Sequence, residues 1–236
     1  MELIYEGKGK KVFQGPNVNE VILFFKDELT AFNALKTGQF AKKGEINCKI
    51  STLIFKAFKK KNIKTHWLET FSENQMRVQK TKIIPLEVVV RNYAAGSFAQ
   101  KFKVPDGKKL ERPLVEYYFK NDDLKDPFVS EGQIVYFGWC TASELKQIES
   151  EALKINQALI EIFEQKKLQL VDFKIEFGKN MSGEIILSDE ISPDCMRLWD
   201  QNTKERLDKD RFRLDLGDVG EGYTRILNEL ASLNLG

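Results

Sequence analysis

Residues 170–200 decide the fold, and they read LVDFKIEFG at 170–178, KNMSG at 179–183 and EIILSDEISPDCMRLWD at 184–200. In the first run, charged side chains recur at every second position, at Asp172, Lys174 and Glu176. Because residues two apart on a strand point to the same side, we expect these three charges to share one face. The apolar residues predicted to share the opposite face are Val171, Phe173, Ile175 and Phe177.

A hairpin is predicted to follow this strand. Residues 178–183 have the glycine, asparagine and serine content of a turn, and residues 184–187 return as a second strand. The hairpin would bring Asp189 near Glu176, and two adjacent carboxylates repel each other unless a cation lies between them. Mg²⁺ binds one or two carboxylates together with substrate phosphates, so one prediction is a magnesium–nucleotide site. The alternative is a hairpin whose charged face is only solvated.

The segment after the hairpin favours the functional interpretation. Residues 192–200 read SPDCMRLWD and place Asp194, Arg197 and Asp200 in a predicted loop just past a strand end. Loops at strand ends commonly carry binding and catalytic residues.

The runs LVDFKIEFG and DEISPDCMRLWD closely resemble the signatures of the SAICAR synthetases, the phosphoribosylaminoimidazole-succinocarboxamide synthases. The resemblance covers essentially the whole chain. It implies an α+β fold with two kinase-like or ATP-grasp-like lobes, antiparallel sheets, flanking helices and the nucleotide between the lobes. We expect a smaller nucleotide-covering lobe at residues 1–80 and a larger substrate- and metal-binding lobe at residues 81–236. A homodimer is also suggested.

The implied reaction belongs to purine biosynthesis. It joins the carboxylate of carboxyaminoimidazole ribonucleotide to the amine of L-aspartate, consumes ATP and passes through an acyl phosphate. By this resemblance Glu176 and Asp189 hold Mg²⁺ and the ATP phosphates, and Lys174 acts beside them on the substrate carboxylate or neutralises the acidic row. The predicted partners are these small molecules, with neither nucleic acid nor membrane.

The composition agrees with a soluble enzyme. The chain has 236 residues, of which 42% are apolar and 31% charged, as in an ordinary globular protein. Its net charge of +2 does not favour nucleic acid as the main partner. Three widely spaced cysteines indicate a reducing compartment, and a single histidine excludes a histidine-based metal cluster. Neither a signal peptide nor an apolar run of membrane length is found, so we expect a cytoplasmic protein.

A glycine–lysine turn lies near the start of the chain. Residues 3–13 read as strand, turn and strand, and the turn contains Gly7, Lys8, Gly9 and Lys10. Glycines allow a backbone to approach a phosphate closely, and lysines supply positive charge to it. The spacing is not that of a P-loop, and a plain basic turn is the alternative. The resemblance implies that Lys8 and Lys10 bind the ATP phosphates.

Residues 91–97 read RNYAAGS and are followed by a predicted short helix. Backbone amides at a helix start, a hydroxyl and an arginine can together bind a phosphate, although an ordinary turn has the same composition. The resemblance implies that Arg91, Ser97 and Arg197 hold the sugar phosphate. It makes Lys120 and Asp126 candidates for the aspartate and imidazole side of the pocket, and Arg213 a candidate ligand for an acidic group.

Periodicity predicts the remaining elements. Apolar residues recur every three or four positions in predicted helices at 44–61, about 141–167 and about 219–233. Thr141 and Glu144 have the spacing of a capping box. Strands are predicted at 21–26, 66–71, 75–81, 80–91 and 110–119. The segment TAFNALK at 30–36 resembles a family segment near the substrate, and no role is assigned to it.

Two other functions are consistent with parts of the pattern. A small-molecule kinase would use the glycine–lysine turn and the paired carboxylates equally well, but it would not depend on aspartate. A non-enzymatic nucleotide- or RNA-binding module would use the lysines at 56–64 and would bind in a salt-sensitive manner. The near-neutral charge and the acidic 170–200 region argue against this module.

Overall fold

The computed structural model describes residues 2–31, 35–233 and 235. The strands are β1 Leu3–Glu6, β2 Lys10–Gln14, β3 Glu20–Phe25, β4 Glu28–Ala31, β5 Lys36–Gln39, β6 Trp67–Ser72, β7 Gln75–Gln79, β8 Lys82–Tyr93, β9 Lys109–Phe119, β10 Leu168–Lys179, β11 Ile185–Leu187 and β12 Met196–Asp200. The helices are α1 Lys43–Lys60, α2 Gly96–Phe102, α3 Glu131–Tyr136, α4 Ala142–Glu164, α5 Asp210–Arg213 and α6 Val219–Ala231. These helices and antiparallel sheets confirm the predicted α+β class.

The first sheet is formed by the N-terminal strands in the order β1-β2-β3-β7-β6, all antiparallel. Helix α1 packs against β3, β6 and α6. Its buried side chains include Ile50, Ile54 and Phe58, which recur at the three- and four-residue spacing that the sequence shows. The helix therefore covers one side of this sheet, and its lysine-rich last turn complements the helix dipole.

The second sheet has the order β11-β10-β8-β9, and β12 also pairs with β10. Strand β8 pairs with β10 from Arg91 opposite Asp172 to Lys82 opposite Lys179. Helix α4 packs against β8, β9 and β10. It begins with the predicted capping box, because Thr141 accepts from the amide of Glu144 at 3.2 Å while Glu144 accepts from the amide of Thr141 at 2.9 Å.

The charged face of β10 forms as predicted, but the prediction for Val171 is wrong. Phe173, Ile175 and Phe177 belong to the main core, whereas Val171 packs with Ala95 and Trp199 in a separate cluster. The pairing of β10 with β12 shifts register between Leu170 and Asp172. A β-bulge of this kind places two successive residues on the same side, so Val171 does not share the face of Phe173, Ile175 and Phe177 as predicted.

Two further details of the 170–200 region differ from the prediction. Residues 196–200 form strand β12, so Arg197 lies on a strand and not in a loop. Gly178 lies within β10 and not in the turn, and an added Cβ there would come within 2.7 Å of the Thr81 side chain. The turn is built instead around Asn180, whose side chain accepts from the amides of Ser182 and Glu184.

Residues 32–34 of the TAFNALK segment lie outside the described residues. In the part of the chain that the structure describes, no helix combines the length and hydrophobicity needed to cross a membrane.

Candidate active site

A cleft of about 740 Å³ lies between the two sheets. One wall is apolar and comes from the first sheet, with Val12, Val21, Leu23 and Val78. The opposite wall is charged. Its ionisable residues from the second sheet and the adjoining loops are Glu87, Lys120, Asp122, Asp126, Lys174, Glu176, Asp189 and Glu190. The Gly7–Lys10 turn closes one side, so the predicted Lys8 and Lys10 line the same cleft. An apolar wall facing a charged wall is suited to a nucleotide with its base on one side and its phosphates on the other.

Glu176 and Asp189 come together because β10 and β11 form the predicted hairpin. The amide of Ser188 donates to the Glu176 carbonyl oxygen at 2.9 Å, which places Asp189 beside the end of Glu176. Both residues are at least nine-tenths buried. Each is paired with a lysine, since Lys120 donates to Glu176 and Lys10 donates to Asp189 at 2.6 Å.

The electrostatics of the two carboxylates differ. Burial and the neighbouring charge of Asp189 raise the pKa of Glu176, although Lys174 and Lys120 oppose the rise. Burial also acts on Asp189, but the ammonium groups of Lys10 and Lys174 outweigh it and hold the pKa of Asp189 below its usual range. The pair is thus a buried acidic site whose charge is balanced by lysines.

These two carboxylates fit a magnesium–nucleotide complex. Oxygen ligands of buried carboxylates suit a hard cation that also keeps phosphate ligands. Among residues 2–31, 35–233 and 235, no group of three or more His, Cys, Asp or Glu side chains is arranged to hold a metal by itself. A cation bound by Glu176 and Asp189 would complete its coordination with phosphate or water oxygens.

Glu190 and Glu87 also line this cleft and were not predicted from the sequence. Glu190 contacts Lys10 at 3.3 Å, and its Oε2 atom is buried without a hydrogen-bond partner among the described residues. Glu87 lies opposite Glu176 in the β8–β10 pairing and is bound by Lys174. The acidic run around Asp189 could have indicated Glu190. Glu87 carries no such signal, because its position depends on the register of two distant strands.

Lys8 and Asp126 lie on the open side of the cleft. Lys8 donates to Asp122 at 2.6 Å, so the glycine–lysine turn reaches the loop after β9. Asp126 accepts from the amide of Asn121 at 2.9 Å and thereby fixes that loop. His66 also lines the cleft but is packed, and its Nε2 atom is buried with no hydrogen-bond partner among the described residues.

A second, smaller cavity of about 130 Å³ is rich in arginine. We call it the arginine cavity. The charged residues that line it are Arg91, Asp172, Lys174, Asp194, Arg197 and Arg213. Asp172 accepts from Arg91 at 2.7 Å and from Arg197 at 2.9 Å. Asp210 accepts from Arg197 at 2.8 Å and from Arg213 at 2.6 Å. The structure thus brings the three predicted arginines together through shared carboxylates.

Ser97 lies next to these arginines. Gly96 has a φ of +54°, and a Cβ on it would collide with the guanidinium of Arg197. Only glycine allows this close approach without strain. Ser97 is the second residue of α2, directly after this contact with Arg197, and it is exposed. The aromatic ring of Phe98 lies 5.5 Å from the Arg91 guanidinium carbon.

Lys174 connects the two cavities, because it lines both the cleft and the arginine cavity. Its ammonium group binds Glu87 and lies 3.9 Å from Glu176. A ligand that fills the arginine cavity and extends past Lys174 would therefore meet a nucleotide in the cleft.

Comparisons with known proteins agree with this geometry. The family model described as SAICAR synthetase matches residues 3–230. The chain belongs to the SAICAR synthetase family. A phosphoribosylaminoimidazole-succinocarboxamide synthase from Finegoldia magna is 49% identical over 98% of this chain and 99% of its own. A crystal structure of the synthase from Ehrlichia chaffeensis has a TM-score of 0.96 at 48% identity and covers 98% and 99% of the two chains. A SAICAR synthetase in complex with ADP has a TM-score of 0.94 at 43% identity, with 97% of each chain covered.

The SAICAR synthetase family catalyses the ATP-dependent ligation of carboxyaminoimidazole ribonucleotide and aspartate in purine biosynthesis. The sequence predictions of the family, the fold and this ligase activity are thereby confirmed. The roles of individual residues and the lobe boundary near residue 80 remain predictions.

Proposed function

We propose that this chain joins the carboxylate of carboxyaminoimidazole ribonucleotide to L-aspartate with ATP, giving SAICAR, ADP and phosphate. The observation that carries the proposal is the position of Lys174 between the nucleotide-sized cleft and the arginine cavity. A ribonucleotide anchored by its phosphate in the arginine cavity would present its other end at Lys174, beside the cleft.

Arg91, Ser97 and Arg197 hold the sugar phosphate in this proposal. The two guanidinium groups are already fixed by Asp172, so little side-chain freedom is lost when a phosphate binds. Binding energy from this remote phosphate orients the reacting carboxylate. Lys174 is placed to bind that carboxylate, since its ammonium lies at the junction of the two cavities.

Lys8 and Lys10 bind the ATP phosphates from the glycine–lysine turn. Glu176 and Asp189 are the residues that would hold Mg²⁺. When bound with ATP, Mg²⁺ neutralises charge on the transferring phosphoryl group. Lys10 and Lys120 pair with the two carboxylates in the structure. They balance the acidic charge and are free to turn towards phosphate when a cation takes their place. Asp126 keeps the neighbouring loop in position on the imidazole side.

The chemistry follows from the poor reactivity of a carboxylate. A substrate carboxylate oxygen attacks the terminal phosphorus of ATP, and the bond to ADP breaks. The resulting acyl phosphate has a good leaving group, so the aspartate amine attacks its carbonyl carbon and releases phosphate with loss of a proton. Lys120 and Arg213 are the cations that the sequence suggests for aspartate. We also propose two lobes divided near residue 80, a homodimer and a cytoplasmic location, which the family resemblance supports.

An ADP-release assay tests the proposal. We expect release to require carboxyaminoimidazole ribonucleotide and L-aspartate together, with SAICAR detected as the product. ADP release without aspartate and with a stable phosphorylated product would indicate a small-molecule kinase instead.

The metal assignment is tested with Glu176→Ala. We expect a large loss of ATP-dependent product formation at every Mg²⁺ concentration tested. Glu184→Ala is the matched control, because Glu184 follows the same hairpin turn and pairs with Lys64 on the surface. Near wild-type turnover by Glu176→Ala would refute the assignment.

A further inference from the structure

Lys209 is a cation that the protein leaves incompletely paired. It precedes helix α5, and its side chain is 14% exposed. Within the described residues, the carboxylate oxygen closest to its ammonium group is Asp194 Oδ1 at 3.9 Å, beyond hydrogen-bond length. Asp194 already accepts from Lys43 at 2.6 Å and from Tyr223 at 2.7 Å. Lys209 therefore retains hydrogen-bonding capacity that Asp194 does not fill.

Arg213, at the other end of α5, is also incompletely paired. Its Nη1 atom donates to Asp210 at 2.6 Å, and this is its one hydrogen bond in the described part of the chain. The side chain lines the arginine cavity. Burial lowers the pKa of Lys209, and the positive charges of Arg213 and Lys43 act in the same direction against the opposing Asp194. A carboxylate ligand placed beside Lys209 and Arg213 would oppose this lowering, because it would stabilise both positive charges.

The two cations lie near the predicted reaction centre. Asp194, whose Oδ1 atom lies 3.9 Å from the Lys209 ammonium, lines the arginine cavity. Arg213 lines the arginine cavity together with Lys174. Lys209 and Arg213 are therefore close to the junction at which an acyl phosphate would form and an amine would have to arrive.

Other cations near the junction have closer partners. Arg91 is bound by Glu116 and Asp172, and Lys120 is bound by Glu176 inside the cleft. We propose that Lys209 and Arg213 bind a carboxylate group of L-aspartate and so place its amine at the reacting carbon. This inference rests on the proposed ligase function, and it replaces Lys120 with Lys209 as the partner of Arg213.

The segment that carries the pair is held in place by packing. Phe212 lies between them, and a Cβ on Gly38 would approach its Cε2 atom to 2.9 Å. The ammonium of Lys36 lies 5.0 Å from the same ring. Contact with the β4–β5 hairpin therefore fixes α5 before substrate binds, as a carboxylate-binding pair requires.

Steady-state kinetics of Lys209→Met test the inference. Loss of one charge-assisted hydrogen bond should raise the KM for L-aspartate about 10- to 100-fold. The KM values for ATP and for the ribonucleotide should stay at the wild-type level. Lys209→Arg should restore much of the aspartate affinity. Lys146→Met removes the same charge from the exposed side of α4 and should behave as wild type.

The outcomes separate this inference from the proposed function. If wild-type ADP release does not require both substrates, the ligase function itself fails. If the wild type behaves as a ligase and Lys209→Met leaves the KM for aspartate unchanged, the inference alone is refuted. A rise in the KM for the ribonucleotide instead would assign Lys209 to the sugar phosphate and would also refute it.

A second measurement does not depend on the variant folding. Wild-type protein is treated with a lysine-acetylating reagent, and modification is followed by peptide mass spectrometry. L-aspartate, added with the ribonucleotide and a non-hydrolysable ATP analogue, should slow modification of Lys209 but not of Lys146. Equal rates with and without aspartate would contradict the proposal.

Discussion

Asp172→Asn should destabilise the protein strongly, because Asp172 joins two buried cations. It is 3% exposed and accepts from Arg91 at 2.7 Å and from Arg197 at 2.9 Å. Asparagine has nearly the same shape, but it leaves the two guanidiniums without the charge between them. Removal of one partner from a buried ion pair costs about 3–5 kcal/mol. Arg91 retains Glu116 and Arg197 retains Asp210, so we expect about 3 kcal/mol, the lower end of that range.

Thermal unfolding measures this loss. For a chain of this length each kcal/mol lowers the Tm by about 2–4 °C, so Asp172→Asn should unfold about 6–12 °C below wild type. The matched control is Asp215→Asn, since the Asp215 side chain is 84% exposed and, among the described residues, pairs with Lys36 alone. A surface pair of this kind contributes at most about 1 kcal/mol.

The same variant should bind the ribonucleotide more weakly, because Asp172 holds in position both arginines that are proposed to bind its phosphate. The KM for the ribonucleotide should rise while the KM for ATP stays constant. A Tm of Asp172→Asn equal to that of Asp215→Asn would refute the argument that Asp172 supports the arginine cavity. An equal rise in both KM values would refute its specificity for the phosphate end.

Three further outcomes are expected. Burial lowers the pKa of His66 to about 3. The neutral, buried ring therefore makes its full contribution to the free energy of unfolding above about pH 6.5, and this contribution falls as the pH drops towards 3. In urea unfolding, His66 should account for a loss of about 3 kcal/mol in the free energy of unfolding of the wild type between pH 7 and pH 4. The His66→Gln variant should lack this loss. Gly44→Ala places a methyl group against the Phe25 carbonyl oxygen and should cost about 1–3 kcal/mol in urea unfolding, whereas Gly132→Ala in α3 should be neutral or slightly stabilising. Thr141→Ala removes the N-cap of α4 and should lower stability by about 1 kcal/mol, measured by circular dichroism during thermal unfolding.

Local sequence patterns predicted the elements that depend on a single segment. The two-residue alternation placed Asp172, Lys174 and Glu176 on one face, and the structure shows all three facing the cavities. Thr141 and the apolar period located the start of α4. In each case the signal lies within a few neighbouring residues, so no distant partner was needed.

Features that depend on pairing between distant segments were not predictable in the same way. The bulge that turns Val171 away from the core arises where β10 meets β12, and β12 itself is a run of only five residues. Glu87 reaches the cleft because it lies opposite Glu176, more than eighty positions away in the chain. The surroundings of Lys209 depend on Asp194, which is bound by Lys43 from α1 and by Tyr223 from α6.

Strand β10 also sets the length of ligand that the site can accept. Asp172 supports the arginines that are proposed to bind phosphate, and Glu176 lies four residues further along the same face. Successive residues of a strand advance by about 3.3 Å, so the two positions are about 13 Å apart. This interval cannot change gradually, because inserting or deleting one residue would turn the later charges into the hydrophobic interior. The fixed spacing along β10 therefore selects ligands by their length. A shorter sugar phosphate bound at the arginine cavity would not bring its reactive group within reach of a nucleotide in the cleft.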